Sequence, residues 1–465
     1  MVFSSLEFLF LFLPLVALLY FLSPGKMRNG LLLFASLLFY AWGEPVYVLV
    51  MLGSIAMNYV FGRLVDKCGG QRKKLALGFG VAGNLLMLGV FKYTNFVAEN
   101  LRSLTGLELP LKEIALPIGI SFFTFQAMSY VIDVYRGKAA VQKNVFSFGL
   151  YIALFPQLIA GPIVRYSTVA EQIVSRRTTP EMAAAGVKRF MTGLAKKVLL
   201  ANSAGLLWTQ LTGGAAALPA ADAWLAALSF SFQIYFDFSG YSDMAIGLGL
   251  LFGFRFEENF NYPYVSATIT EFWSRWHMSL GTWFKEYLYI PLGGNRKGKA
   301  KQIRNILIVW LLTGLWHGAS WNFILWGLYY GLLLLAEKLV LKKVLDKCPA
   351  AVRHGYTLLV VLFGWVLFAN EDLSALFPLL AGMFGANGGA SPLLPGLLTG
   401  NLMLLAVCAV ASLPLGGKLA ARLREKYSSR GVFFVAETLW YLLLFLLSVA
   451  SLVNSSYNPF IYFRF

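Results

Sequence analysis

The chain has 465 residues, of which 58% are hydrophobic and 13% charged, with 39 lysines and arginines against 22 acidic residues. Soluble domains are roughly 45–50% apolar and about 25% charged, so this composition excludes an ordinary water-soluble protein and predicts solvation by lipid. The net charge of +17 lies in short segments between apolar runs, as is typical of cytoplasmic loops, and therefore does not indicate nucleic-acid binding.

Apolar runs near the length that crosses a bilayer, about 20 residues, follow one another along the whole chain. The first run, residues 3–22, has no basic leader and no small-residue cleavage site, which predicts a retained membrane helix rather than a signal peptide. Since no soluble segment separates the runs, residues 1–465 are predicted to form a single membrane-embedded domain. The predicted spans are residues 3–22, 29–42, 45–63, 76–96, 116–135, 145–165, 185–206, 222–254, 303–316, 320–340, 356–370, 398–416 and 433–453.

The apolar run 222–254 is interrupted by Asp237, Ser239 and Asp243. It is long enough for one tilted helix or for two broken ones. The two acids are suited to orient a histidine or a substrate hydroxyl, and equally suited, with the serine, to cap a broken helix. The pattern alone leaves both interpretations open.

Residues 261–300 are irregular, rich in aromatic side chains and too polar to face lipid. A helix that lies at the cytoplasmic interface, or dips inward from it, is predicted here. His277 follows Trp273 by four residues, so the two would share a helix face. His277 is then either a polar residue of that helix or part of a site, and the spacing slightly favours the former. The residues predicted to shape a substrate path here are Trp273, Ser274, Arg275 and Trp276.

His317 lies between two apolar runs, Ile303–Trp316 and Phe323–Leu335. An ionisable residue inside a span is costly and marks a candidate functional site, although a neighbouring helix carbonyl could also satisfy it. Gly314 and Gly318 permit close backbone approach or a break in the helix, which favours a site.

Trp316 and Asn322, which flank His317, are predicted to position a substrate, whereas His354 in a basic segment is predicted to be a solvated loop residue. The sequence has no phosphate-binding glycine loop, zinc-binding helix or nucleophile elbow, and no metal site is predicted. A reaction that needs little more than a buried general base remains. Acyl transfer from a thioester to an alcohol is such a reaction.

Two motifs carry a family resemblance, Phe272–Leu280 (FWSRWHMSL) and Thr313–Gly318 (TGLWHG). With them the sequence resembles the membrane-bound O-acyltransferase family, and most closely its bacterial alginate O-acetyltransferase branch. Further matches, in chain order, are Leu38–Gly43, Pro117–Gln126 continuing to Tyr130 and Asp133, Phe155–Arg165, Asp237–Asp243 and Asn458–Phe463.

The resemblance implies an all-α polytopic membrane fold, with about eleven transmembrane helices plus re-entrant or interfacial helices around a central tunnel. It implies that His317 is the catalytic residue and that His277 is the family's second polar position, which is Asn in some members. It also implies a multi-pass protein of the bacterial inner membrane.

From these motifs we predict that His317 acts as general base on an acceptor hydroxyl, whose oxygen attacks a thioester carbonyl. Acetyl-CoA or another acyl thioester would arrive from the cytoplasm as a donor substrate, and no permanently bound cofactor is expected. Lys285, Arg296 and Lys297 would attract this anionic donor, or else are positive-inside charges that face lipid. The resemblance implies an extracytoplasmic polysaccharide acceptor such as alginate, reached through a separate periplasmic acetyltransferase partner.

Three alternatives remain open at this point. Two lie in the same family: a D-alanyl exporter for teichoic acid and a component of a peptidoglycan O-acetyltransferase. The third is a secondary transporter without covalent chemistry, which would favour repeated halves with paired broken helices. The sequence shows no convincing internal repeat of that kind.

Overall fold

The computed structural model describes residues 1–106, 112–159, 161–213, 217–427, 431–454 and 460–461. All regular structure in these ranges is helical, which confirms the all-α prediction. The described chain divides into two compact units, and the predicted single domain over 1–465 stays a prediction. Of the family motifs, Ala160, Asn458, Pro459, Tyr462 and Phe463 lie outside the described residues.

The first unit comprises Met1–Phe190 and Ser242–Glu258. Helices α3, α4 and α5 pack on one another, and the side-chain amides of Asn58 (α3) and Asn84 (α4) exchange hydrogen bonds of 3.0 and 2.7 Å. This mutual pairing satisfies two polar groups that would otherwise be costly between apolar helices. The helices are α1 (Leu13–Leu22), α2 (Gly25–Gly43), α3 (Val48–Lys67), α4 (Gly70–Thr105), α5 (Ile120–Arg136), α6 (Val145–Ala153), α7 (Phe155–Leu158) and α8 (Tyr166–Val174).

The predicted continuous span over residues 145–165 is wrong. Helix α6 ends at Ala153, and α7 is a single turn. Pro156 lies in the first turn of α7, where its missing N–H costs nothing, but it could not continue α6 without removing a backbone hydrogen bond.

The second unit comprises Met191–Tyr241 and Asn259–Ile461. Helices α9 and α11 contribute residues to both units. The π-helical segments Lys285–Tyr289 and Glu337–Leu341 extend α13 and α15. The helices are α9 (Pro180–Ala195), α10 (Asn202–Thr212), α11 (Ala220–Leu251), α12 (Ile269–Arg275), α13 (Met278–Phe284), α14 (Lys299–His317), α15 (Trp321–Ala336), α16 (Lys342–Leu345), α17 (Ala350–Ala369), α18 (Leu373–Met383), α19 (Leu394–Ala411), α20 (Leu415–Tyr427) and α21 (Gly431–Val453).

Six helices in the described part of the chain are long and apolar enough to cross a membrane, and two shorter apolar helices accompany them. This confirms a multi-pass membrane protein, while the count of about eleven spans stays a prediction. The six are Val48–Lys67, Gly70–Thr105, Trp321–Leu345, Ala350–Ala369, Leu394–Ala411 and Gly431–Val453.

Helix α11 runs unbroken for 32 residues. Of the two interpretations of residues 222–254, the single helix is confirmed and the broken helix with polar caps is wrong. Asp237, Ser239 and Asp243 all lie in the helix interior. The two carboxylates are satisfied by ion pairs with other helices, so no chain break is needed to solvate them.

Helices α14 and α15 form a tightly packed hairpin. A Cβ atom on Gly314 would lie 2.2 Å from the carbonyl oxygen of Phe323, and one on Gly327 would lie 2.4 Å from that of Trp310. Only glycine fits at either position, so the two backbones are in direct contact. Helix α14 ends at His317, which confirms both the predicted close approach and the predicted break.

Candidate active site

His277 lies between two short helices rather than within one. Helix α12 ends at Arg275, and His277 adopts a left-handed backbone conformation (φ 44°, ψ 53°) before α13 begins. The predicted shared helix face of Trp273 and His277 is therefore wrong. His277 is 2% exposed, so its interpretation as a polar residue on an interfacial face is wrong as well. A left-handed non-glycine residue is strained, and such strain tends to occur at functional sites.

Asn259 fixes the orientation of the His277 imidazole. Its Oδ1 accepts hydrogen bonds from the Ser279 N–H (3.2 Å) and hydroxyl (2.9 Å) and lies 3.1 Å from Nδ1 of His277. Because the Ser279 N–H needs an acceptor, the Asn259 atom is oxygen, and His277 Nδ1 must carry a hydrogen. Burial lowers the pKa of His277 to about 3, so the imidazole is neutral, with Nε2 as its basic nitrogen.

His317 is enclosed by aromatic rings. It is 3% exposed, and its ring centroid lies 5.1 Å from that of Trp316, 4.9 Å from that of Trp326 and 5.4 Å from that of Phe368. Asn322 donates a hydrogen bond of 3.2 Å to the Phe368 carbonyl, so it holds the backbone that presents the Phe368 ring to His317.

Trp316 contacts both imidazoles. Its ring centroid is 5.9 Å from that of His277 as well as 5.1 Å from that of His317. His277 also packs edge-to-face with Phe238, and their ring centroids are 4.6 Å apart. Both candidate histidines therefore contact the same aromatic side chain, although they are 40 positions apart in the chain.

A cavity of about 900 Å³ reaches His277 from the surface. Along α14 it is lined by Ile306, Val309, Trp310 and Thr313, which recur at helical spacing and lie on one face. The next position on that face is His317, one turn beyond Thr313. Within the described chain His317 does not line the cavity, which ends one turn short of it.

Exposed polar residues form the outer part of this cavity. The lysines among them are Lys285, Lys338 and Lys342, and Asp346 lies beside them. Of the cations predicted to attract a donor, Lys285 lines the cavity, but Arg296 and Lys297 are not among its lining residues. Lys338 and Lys342 were not predicted as donor contacts, although their spacing of four residues in a helical continuation of α15 was a usable signal in the sequence.

The residues in and just after α12 that were predicted to shape a substrate path have two different environments. Trp273, Ser274 and Trp276 line the cavity, with Ser274 exposed. Arg275 instead pairs with Glu271 at 2.9 Å. Three of the four residues thus line the cavity, whereas Arg275 stabilises the short helix α12.

The comparison with known proteins agrees with these motifs. The model of "MBOAT, membrane-bound O-acyltransferase family" matches residues 138–374, a range that contains both histidine motifs. The chain is 41% identical to the "Probable alginate O-acetylase AlgI" of Azotobacter vinelandii and 42% identical to that of Pseudomonas putida, with 100% of both chains covered in each case. The chain belongs to the membrane-bound O-acyltransferase family. It is also 35% identical to the "Peptidoglycan O-acetyltransferase" of Helicobacter pylori, over 83% of this chain and 80% of that protein.

This O-acyltransferase also has a buried acid that was not predicted from the sequence, Glu337. It is 3% exposed, and its carboxylate accepts hydrogen bonds from the backbone N–H groups of Ile269 (2.6 Å) and Thr270 (2.9 Å). The first N–H groups of a helix lack partners within it, so Glu337 caps the start of α12. An acidic residue at the end of an apolar run was the signal in the sequence.

His354 supports the same region of the O-acyltransferase. Its Nδ1 donates a hydrogen bond of 3.1 Å to the carbonyl of Ser266, shortly before α12. The prediction of a solvated loop histidine is wrong, because His354 lies in the first turns of α17 and is half-buried.

Asp237 and Asp243 of α11 form ion pairs with cationic side chains of other segments. Asp237 pairs with Lys197, and its other oxygen accepts the Ile461 N–H at 2.7 Å. Asp243, in the first unit, accepts a hydrogen bond of 2.7 Å from Arg189. Ser239 is buried, and its hydroxyl has no hydrogen-bond partner among the described residues. The geometry therefore gives Asp237 a role in anchoring the C-terminal segment of the O-acyltransferase.

Proposed function

We propose that this O-acyltransferase takes an acetyl group from a cytoplasmic thioester and exports it for O-acetylation of an extracytoplasmic polysaccharide. The observation that carries the proposal is the cavity, with exposed lysines at its outer part and His277 at its inner end. A donor such as acetyl-CoA bears several negative charges. Lys285, Lys338 and Lys342 would bind those charges while the thioester extends inward along α14.

The orientation of the hairpin α14–α15 supports entry of the donor from the cytoplasm. Basic residues precede α14 and follow α15, so both lie at the same end of the hairpin, and an excess of such residues is typical of the cytoplasmic side. His317 lies 13 residues beyond Arg304, which corresponds to about 20 Å along the helix axis. This is about two-thirds of a 30 Å hydrocarbon core, so the base would lie nearer the extracytoplasmic acceptor.

In the proposed reaction His317 removes the proton of the acceptor hydroxyl as its oxygen attacks the thioester carbonyl. The carbon–oxygen ester bond forms, the carbon–sulfur bond breaks, and the proton passes from His317 to the departing thiolate. His277 is oriented by Asn259, and its lowered pKa makes it a weak base, so in this proposal it positions the donor. Trp316 would have to move aside for the acyl carbonyl to pass from His277 to His317.

A polyuronate such as alginate is the acceptor that the relatives favour, because two of them carry that name and match over the full length. We further propose an inner-membrane location and a separate periplasmic acetyltransferase as partner. Peptidoglycan is the second candidate acceptor, since the Helicobacter relative is named for it. Membership of an acyltransferase family argues against a transporter without covalent chemistry.

The donor path can be tested by thiol labelling in a chain whose Cys68, Cys348 and Cys408 are replaced by serine. A Ser274→Cys variant should react with a bulky reagent added to the cytoplasmic face, and acetyl-CoA should slow the reaction. Lys297→Cys is the matched control, because Lys297 does not line the cavity and should react without protection. Reaction of Ser274→Cys from the extracytoplasmic face alone would refute the proposed orientation.

The acceptor can be tested in membrane vesicles that contain this chain and its candidate partner. Radiolabelled acetyl-CoA is supplied on the cytoplasmic face, and polymannuronate, peptidoglycan or teichoic acid on the other. Transfer to polymannuronate, and none in a His317→Ala control, is the expected result. A parallel assay supplies radiolabelled D-alanine on a carrier protein as the donor. Transfer of D-alanine to teichoic acid there, with no transfer of acetyl groups, would replace this function with that of a D-alanyl exporter.

A further inference from the structure

Helix α20 is a solvent-exposed helix held between two membrane spans. Residues 415–426 are all exposed, and α20 contributes no buried residue to the unit. It follows α19 after a short turn and precedes α21, both of which are long and apolar enough to cross a membrane. Because its neighbours on both sides enter the bilayer, α20 must lie close to the membrane surface.

Two rows of side chains run side by side along α20. The leucine row consists of Leu415, Leu419 and Leu423, which are 53%, 58% and 40% exposed. The basic row consists of Lys418, Arg422 and Lys426, each of which follows one of these leucines by three residues. Residues three and four apart are neighbours on a helix surface, so every cation borders a leucine. Glu425 is the single acidic residue of the helix.

The orientation of α20 is set by contacts near each end. Arg424, on another side of the helix, pairs at 2.5 Å with Glu437 of α21. Near the start, a Cβ on Gly417 would lie 3.1 Å from the Tyr262 hydroxyl, so the backbone rests on the loop that leads to α12. With Arg424 directed at α21, the leucine and basic rows face away from that helix.

We propose that α20 lies in the plane of the membrane interface and binds anionic phospholipid headgroups. An amphipathic helix at an interface places leucines among the acyl chains, while the bordering lysines and arginines extend to the phosphates. Helices α19 and α21 enter the bilayer on either side of α20, so both acyl chains and phosphate groups are available to it at the membrane surface. An acidic protein would match the cations but would have to cover three exposed leucines as well, which makes it the less favoured occupant.

Lipid selectivity tests the basic row. The full chain is placed in nanodiscs that contain phosphatidylglycerol and phosphatidylcholine, and the lipids retained on it are measured by native mass spectrometry. Wild type should retain phosphatidylglycerol preferentially, and the variant K418Q/R422Q/K426Q should lose about fivefold in preference per cation removed. The variant R72Q/K73Q/K74Q, which removes three cations from the first unit, should change the preference far less. An equal loss in both variants, or no preference in wild type, would overturn the proposal.

The depth of the leucine row is tested independently of the charges. Spin labels are attached to cysteines at Leu419 and at Ala421, which lie on opposite sides of α20, in the chain free of its own cysteines. The label at Leu419 should collide with oxygen dissolved in the bilayer and be shielded from an aqueous nickel complex. The label at Ala421 should show the reverse. A label at Leu419 that the nickel complex reaches freely would place α20 in water and overturn the proposal.

Discussion

The Glu337 carboxylate accepts hydrogen bonds from both the backbone N–H and the hydroxyl of Thr270, at 2.9 and 2.7 Å. Glu337 continues α15, and Thr270 lies in the first turn of α12, three residues before the cavity-lining Trp273. His277 is the second residue after the end of α12. One end of the hairpin α14–α15 therefore holds the segment of His277, while its other end carries His317. The two histidines are positioned by the same pair of helices.

Replacement of Glu337 should reduce catalysis through the position of α12. Glu337→Ala leaves two backbone N–H groups and a hydroxyl without their acceptor, and a displacement of about 1 Å in an active site can cost 10²-fold. We expect kcat for acetyl transfer to fall by roughly tenfold to a hundredfold, with partial recovery in Glu337→Gln, which keeps one acceptor oxygen. Lys338→Ala, an exposed neighbour, is the control for kcat. Equal activity of Glu337→Ala and wild type would show that the cap does not position the site.

Replacement of His317 should stop the reaction without removing the protein from the membrane. Loss of a general base costs about 10²–10⁴ in rate. We expect His317→Ala to lose transfer to at least that degree while its amount in the membrane equals that of wild type. His354→Ala removes the third histidine, which bonds a backbone carbonyl outside the cavity, and should cost far less. A fully active, well-expressed His317→Ala would exclude His317 as the base.

Replacement of His277 should depend on the residue chosen. Asparagine tolerates the left-handed backbone and retains a donor for Asn259, whereas alanine has neither property. We therefore expect His277→Asn to keep more activity than His277→Ala at saturating donor. With its pKa near 3, His277 stays neutral above about pH 4, so neither variant should shift the pH profile of kcat between pH 5 and 9. A lost ionisation in that range would make His277 the titrating base.

Neutralising the cavity lysines should weaken donor binding. Lys338→Gln and Lys342→Gln should each raise KM for acetyl-CoA by about threefold to tenfold with kcat little changed, because each removes one contact to an anionic group. Arg296→Gln and Lys297→Gln are the matched controls, since neither residue lines the cavity. Measuring KM at low and high salt checks the cause, as screening should reduce the difference. If the control pair raises KM equally, a general positive field rather than this cavity attracts the donor.

Local signals in the sequence were enough to identify the candidate histidines but not the contacts that hold them in place. His317 could be found because an ionisable residue stands alone between apolar runs, and Gly314 predicted the close packing that the structure shows. The left-handed backbone conformation of His277 could not be predicted, because the spacing of side chains gives no information about the backbone dihedral angles of a single residue. Its partner Asn259 is 18 positions away in an irregular loop.

The acids of α11 illustrate a second limit. From the sequence, Asp237 and Asp243 were equally suited to orient a histidine or a substrate hydroxyl and to cap a broken helix. The structure pairs them separately with Lys197 and Arg189, residues contributed by other segments of the chain. A short motif shows which groups need partners, but tertiary packing decides which partners they receive.

The rings around His317 also have an electrical consequence. The free energy of an elementary charge changes by about 2.3 kcal/mol for each 100 mV of membrane potential that it crosses. A continuous column of water through a membrane enzyme would therefore let protons flow down this potential and dissipate the proton gradient of the cell. Here the cavity ends one turn before His317, where Trp316, Trp326 and Phe368 enclose the imidazole. Entering such an aromatic layer costs a neutral acyl group far less free energy than it costs a hydrated ion. If His317 is the base, as we propose, the aromatic side chains around it would keep ions from crossing the membrane at the catalytic site.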